Sequence, residues 1–166
     1  NETYINRFKE TLNIDAIAQK HFKMLIDYSF GLASNIFPHI LGKFKATVVS
    51  MNNYMDASRP YSDVTTDEEA AESAAVIRSL GYELGFKIDA GAEKAAIADE
   101  RGAWFSRQRL LTIVTKLFLE ANKNRPNYSI AIPVVASNEI DLIAKDYDVN
   151  VIRIKNTHAA MMDVTQ

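Results

Sequence analysis

Apolar runs too short for a helix recur along this chain with helical periodicities between them, and that alternation constrains the fold more than any other feature. "FKMLIDY" (22–28), "KATVVSM" (45–51), "YSIAIPVVA" (128–136) and "VNVIRI" (149–154) read as strands, with two further short strands near 84–88 and 94–98. Two short helices are expected before the first strand, from Glu2 to Leu12 and from Asp15 to Lys20. Between the first two long runs, Ala33, Ile36, Phe37, Ile40, Leu41 and Phe44 mark one face of a helix, with Pro38 early in it where proline is tolerated. Thr66 and Glu69 form a capping box for a helix that ends at Leu80, before Gly81. A stronger helix is predicted over Arg107 to Asn122, with Leu110, Leu111, Val114, Leu117, Phe118 and Ala121 on its apolar face, and a shorter one over Asn138 to Tyr147. Strands alternating with helices imply an α/β fold with a mostly parallel sheet. The two strands flanking Asp89 are joined by too few residues for a helical crossover, so they are expected to be antiparallel and the sheet mixed.

Composition narrows the function classes. The 166 residues are 48% hydrophobic, enough for a buried core, and the net charge of −2 is spread along the chain. There is no basic stripe for nucleic acid and no apolar run long enough for a membrane helix, so neither partner is expected. Cysteine is absent, which removes disulfides, thiolate nucleophiles and thiolate zinc sites and fits a cytoplasmic location. The first residue is Asn1 rather than methionine, which leads us to expect a piece of a longer protein.

Three segments, in order, resemble the α-D-phosphohexomutases, the family of phosphoglucomutases and phosphomannomutases. "LNIDAIAQKHFKMLIDYSFGLASNIFPHILGKFKATVVSMN" is similar to the opening of that family's second domain. "LGFKIDAGAEKAAIADERGAWFSRQRLLTIVTKLFLE" is similar to its metal-loop segment and the helix that follows. "SIAIPVVASNEIDLIAKDYDVNVIRIKNTHAAMM" resembles the start of its third domain. The resemblance implies two α/β/α layered units with mixed, mostly parallel sheets, a second domain over residues 1–105 and part of a third over 106–166. No segment here resembles the family's phosphoserine-bearing first domain or its fourth.

In the family, a D-G-D-x-D-R loop on the second domain holds magnesium. Placed on this sequence, its first aspartate is Asp89, its glycine Ala90, its second aspartate Gly91, its third Glu93 and its arginine Lys94. One carboxylate is kept, one is lost and one is lengthened by a methylene, and a planar guanidinium fork becomes a point charge. Magnesium requires near-octahedral oxygen coordination at short distances, so at most weak, water-assisted binding at Asp89 and Glu93 is expected, and no resident cofactor. The plainer reading makes Asp89 and Glu93 solvated acids on a strand–turn–strand connection, with Lys94 neutralising one of them.

The turn "RIKNTHAAMM" stands where the family has a sugar-contacting glycine turn, with Thr157 in place of the glycine. Contact with a sugar phosphate through Arg153, Lys155 and His158 is one reading, and a solvated basic turn is the other. Ser29 or Ser34 is read as a helix cap rather than part of a phosphate cradle, and Ser137 with Asn138 as the cap of the next helix. Met161 and Met162 are read as packing residues, and Trp104 as packing on the sheet or at a domain junction. His21 and His39 do not match a metal-ligand spacing.

Two functions follow as expectations. The first is a non-catalytic module of a larger sugar-phosphate or nucleotide-sugar protein, such as a sugar-1-phosphate nucleotidyltransferase of the mannose-1-phosphate guanylyltransferase kind. Its partners would be the rest of the parent polypeptide, a sugar phosphate or a second copy of the chain. The alternative is a fragment of a divergent phosphomutase, an intramolecular phosphotransferase active only in the intact protein.

Overall fold

The computed structural model describes residues 6, 7, 10–56, 58 and 67–164, with the backbone alone at residues 67–69 and 158. The capping box at Thr66 and Glu69 and most of the helix expected over 2–12 lie outside the described residues. The chain divides into two compact units, Asn1–Phe105 and Ser106–Gln166.

The first unit is built on a four-stranded sheet. In chain order it comprises α1 (Ile14–Ala18), β1 (Lys23–Asp27), a 3₁₀ turn (Leu32–Asn35), α2 (Phe37–Leu41), β2 (Thr47–Met51), α3 (Asp67–Leu80), β3 (Leu84–Ile88) and β4 (Ala95–Ala98). The strand order is β2-β1-β3-β4, with β1 parallel to both β2 and β3 and β4 antiparallel to β3. Strand side chains alternate between faces. Met24, Ile26 and Tyr28 pack with Ala33, Phe37 and Leu41 on one face. Leu25 packs with Ile77, Tyr82, Ala98 and Trp104 on the other. The sheet is therefore covered on both sides, and Trp104 packs against it as expected. Gly102 is needed for a close approach: it sits at φ +75°, and a Cβ there would lie 2.4 Å from Ala74 of α3.

The single helix expected across 33–44 is broken in two. Proline has no N–H to donate, so the helical ladder is interrupted at Pro38 and the 3₁₀ turn and α2 form separately, with Pro38 in the first turn of α2. Neither serine caps it. Ser34 Oγ donates to the Gly31 carbonyl at 2.7 Å, and Ser29 Oγ is buried without a partner among the described residues.

The second unit comprises α4 (Arg107–Ala121), β5 (Ser129–Pro133), α5 (Glu139–Asp146), β6 (Asn150–Ile154) and α6 (His158–Val164), with β5 and β6 parallel. Ser106 caps α4 by accepting from the Arg109 N–H at 3.2 Å. The buried face of α4 is Leu111, Thr115 and Leu119, against Ile130, Ile140, Ala144 and Val151. This corrects the expected face: Val114, Leu117 and Phe118 are exposed. The helix carries two apolar stripes, and periodicity alone does not choose between them. Ser137 Oγ accepts from the Glu139 N–H, whereas Asn138 makes no side-chain cap. Met161 and Met162 are exposed, contrary to the packing role read from sequence.

Candidate functional site

The carboxyl ends of β1 and β3, neighbouring parallel strands, each run into a buried aspartate. Loops at this edge of an α/β sheet are where ligands commonly bind. Asp27 is 4% exposed, and its Oδ1 accepts from the Ser29 N–H at 2.8 Å and from Asn52 Nδ2 at 2.9 Å. Asp89 is 8% exposed, and its Oδ1 accepts from the N–H groups of Glu93 and Lys94, both at 2.7 Å. Its main chain closes the same turn: the Asp89 N–H donates to the Lys94 carbonyl at 3.1 Å, and the Ala92 N–H donates to the Asp89 carbonyl at 2.9 Å. Ala92 takes a left-handed φ of 58° to do this.

The two loops are stitched together. The Leu32 N–H donates to the Ala90 carbonyl at 3.1 Å, and Gly31 lies so close that a Cβ on it would sit 2.4 Å from the Ala90 Cα. The β1 loop is tied to β2 as well, through Tyr28 N–H to the Met51 carbonyl and Phe30 N–H to the Asn52 carbonyl. Ser29, Phe30 and Asn52 all adopt left-handed backbone. The expectation of a solvated Asp89 is thus corrected: the residue is buried with one carboxylate oxygen on the backbone of its own loop and the other on the side of Gly91, while Gly91, Glu93 and Lys94 are exposed. Asp27, which the sequence reading did not single out, is as buried as Asp89. Its signal was an aspartate closing an apolar strand before a Ser-containing turn, a pattern for a side chain that bonds backbone two residues on.

The loop offers magnesium fewer acids than a three-aspartate loop would. One oxygen of Asp89 already accepts two amide hydrogens, Gly91 supplies no ligand, and Glu93 is the one other acid of the loop. Among the described residues, no three or more histidine, aspartate or glutamate side chains are grouped to hold a metal ion. Gly91 itself has space: a Cβ there would meet nothing closer than 3.7 Å.

In the second unit, Arg153 projects from β6 onto the β5–α5 connection. Its guanidinium donates to the carbonyls of Val134 (3.2 Å), Ala136 (2.8 Å) and Ser137 (3.3 Å), to Asn138 Oδ1 (3.1 Å), and to the Asp141 carboxylate. That hydrogen bond from Arg153 holds the Asp141 carboxyl below the usual carboxylate range. Arg153 is therefore engaged by several groups of its own unit, with its side chain a quarter exposed. Lys155 is exposed, and the side chain of His158 lies outside the described atoms. Thr157, in the position of the family's glycine, accepts from the Ala160 N–H at 3.3 Å and so caps α6. No helix among the described residues is long and apolar enough to cross a membrane.

Comparison with known proteins gives a consistent picture. The family model described as phosphoglucomutase/phosphomannomutase, alpha/beta/alpha domain II, matches residues 2–102. A phosphoglucomutase/phosphomannomutase of Thermococcus kodakarensis is 26% identical over 153 residues, covering 92% of this chain and 33% of that protein. A probable phosphoglucosamine mutase of Methanothermobacter thermautotrophicus is 28% identical over 116 residues, 69% of this chain and 25% of that protein. Among solved structures, a phosphoglucomutase/phosphomannomutase family protein of Burkholderia thailandensis superposes with a TM-score of 0.74 at 15% identity, over 91% of this chain and 34% of the other. A putative phosphomannomutase from Thermus thermophilus gives a TM-score of 0.75 at 14% identity, over 93% of this chain and 36% of that one. The chain thus spans about a third of the length of the first of these curated relatives.

Proposed function

The chain belongs to the phosphoglucomutase/phosphomannomutase family, and from that premise we propose that it is a non-catalytic phosphohexomutase-like module of a larger protein of sugar-phosphate or nucleotide-sugar metabolism. Its role is structural or regulatory, and it does not itself transfer phosphate. The observation that carries this reading is the Asp89 loop itself, in which one oxygen of the carboxylate is engaged by two amide N–H groups and Gly91 supplies no acid. Phosphoryl transfer depends on charge stabilisation and placement at the reacting phosphate, and a loop with the middle acid missing does not supply the cation that does this.

The parent is a sugar-1-phosphate nucleotidyltransferase of the mannose-1-phosphate guanylyltransferase kind. The "RIKNTHAAMM" turn, which resembles the version found in such fusions, supports this. The module's partners are the rest of that polypeptide, with a sugar phosphate or a second copy as further ligands. Exposed Lys155 supports the sugar phosphate, and the location is cytoplasmic. Reading the gene upstream of Asn1 tests the parentage: a glycine-rich nucleotidyltransferase domain is expected, and a phosphoserine-bearing mutase domain would sink it.

A second reading, a divergent phosphomutase active in the intact protein, draws on the preserved loop frame and on the free space at Gly91. Assay of the intact protein with glucose- or mannose-1-phosphate and magnesium separates the two. The module reading expects no isomerisation, and the same silence in Asp89→Asn. Turnover that Asp89→Asn abolishes would establish the second reading in its place.

A further inference from the structure

Of the chain's five methionines, Met55 is the most open to solvent, at 55% exposed, whereas Met24 is buried at 7%. Its sulfur is also held: Asn35 Nδ2 donates to Met55 Sδ at 3.1 Å. The residues on either side of Met55 are fixed to the β1 loop. The Tyr54 ring meets Phe30 edge-on with centroids 5.0 Å apart, and the Asp56 N–H donates to the Phe30 carbonyl at 3.2 Å. Asn35 is fixed too, as the last residue of the 3₁₀ turn that starts at Leu32, and the Leu32 N–H donates to the Ala90 carbonyl of the Asp89 loop. A thioether with one amide donor set on it is thus presented to solvent at the carboxyl edge of the sheet, one turn away from the Asp89 loop.

A thioether reacts with a peroxide through a sulfur lone pair. The pair attacks one oxygen, the S–O bond forms and the O–O bond breaks, and the proton of the transferred oxygen goes to the departing hydroxide to give water. Sulfur is oxidised by two electrons, the peroxide is reduced by two, and the product is methionine sulfoxide. The sulfur has two lone pairs, and oxygen on one or the other gives opposite epimers of the sulfoxide. At Met55 one pair accepts from Asn35, which lowers its electron density and sets the amide in the path of the oxidant. The sulfoxide oxygen is a stronger acceptor than the thioether sulfur, so it draws the Asn35 N–H away from sulfur and pulls on the 3₁₀ turn. We propose that Met55 is a modification site oxidised by peroxide, at which Asn35 selects one sulfoxide epimer and passes the change to the Leu32–Ala90 link.

Dilute hydrogen peroxide is the probe, applied to the folded chain and to the chain unfolded in urea, with each methionine followed by peptide mass spectrometry. The two methionine sulfoxide reductases, each specific for one epimer, then measure the epimer ratio. In the folded chain Met55 should oxidise well before Met24, and one epimer at Met55 should exceed the other about threefold, the scale of one weak hydrogen bond. Unfolding should even the two. Asn35→Ala removes the donor and Asn35→Asp keeps its shape without an N–H, so both should even the epimers while Met55 stays reactive. Oxidation should shift the amide signals of Leu32 and of Gly91, whose peptide carries the Ala90 carbonyl, and should leave them in place in both variants. Equal epimers in the folded chain, an excess that survives both variants, or a Met55 no faster than Met24 would overturn the proposal. Leu32 and Gly91 amides that do not respond to oxidation would overturn it as well.

Discussion

Asp89 and Arg153 stand at the ends of strands in different units, and both use their charge to hold nearby backbone. The anion of Asp89 accepts two amide hydrogens of its own loop, while the cation of Arg153 donates to three carbonyls, an amide oxygen and a carboxylate of a loop twelve or more residues away. The difference is one of range and reversibility. The Asp89 turn is local, closes within six residues, and leaves one carboxylate oxygen outside those two bonds. The Arg153 clamp is long-range, and it anchors both the Val134–Asn138 turn and the start of α5. A charged residue in a family's ligand position can thus be retained for the backbone it holds.

The largest effect should come from Arg153→Ala. It removes a charge-assisted set of bonds and strands several carbonyls, at a cost of about 3 kcal/mol. Hydrogen exchange should show β5 and β6 losing protection together while β1 and β3 keep theirs. If all strands loosened equally, the two units would be coupled more tightly than the clamp alone explains. Asp89→Ala should cost about 2 kcal/mol, read from denaturant unfolding of the first unit, since two amides lose a charged acceptor. Asp89→Asn keeps an oxygen acceptor and should cost less than half as much. An Asn as damaging as the Ala would mean that the charge, rather than the turn geometry, is what matters.

Acid should separate the units more gently. The folded pKa of Asp141 is lowered chiefly by the hydrogen bond from Arg153, and that of Glu120 by hydrogen bonds from Lys123 and then Tyr147. A depressed carboxylate pKa stabilises above the unfolded value, near 4, and the contribution is lost as pH falls through the folded value. Between about pH 5 and pH 3, protection in β5 and β6 should decline, and Asp141→Asn should flatten that decline. The smallest effect is expected at Gly91→Ala, within about 0.5 kcal/mol, because its Cβ meets only ordinary contacts. Gly31→Ala is the contrast in the same pair of loops, since its Cβ would strike the Ala90 backbone and must push the loops apart.

Much of this architecture was legible in the sequence, because strand and helix periods are local. β1, β3 and β4, the antiparallel turn at Asp89, and the helix stopping at Gly81 follow from alternation, chain length between strands and glycine chemistry. The buried side of α4 was not legible, since Val114, Leu117 and Phe118 are as apolar as Leu111 and Leu119, and only the position of α5 and the β5–β6 pair selects between the stripes. The Arg153 clamp was hidden for a similar reason: nothing near Arg153 in sequence marks the carbonyls of Val134, Ala136 and Ser137 as its acceptors. At Asp89 the loop could be located but its direction could not, because an aspartate that binds a cation and one that caps its own turn occupy the same place in the string.

Magnesium titration of the chain, followed at the Glu93 and Lys94 amides, tests the structural role of Asp89 most directly. With its carboxylate held on those two N–H groups, millimolar magnesium should leave both signals unmoved, while Asp89→Asn alone should shift them. A saturable magnesium response at these amides that Asp89→Asn eliminates would contradict the account and return the loop to the metal-binding members of its family.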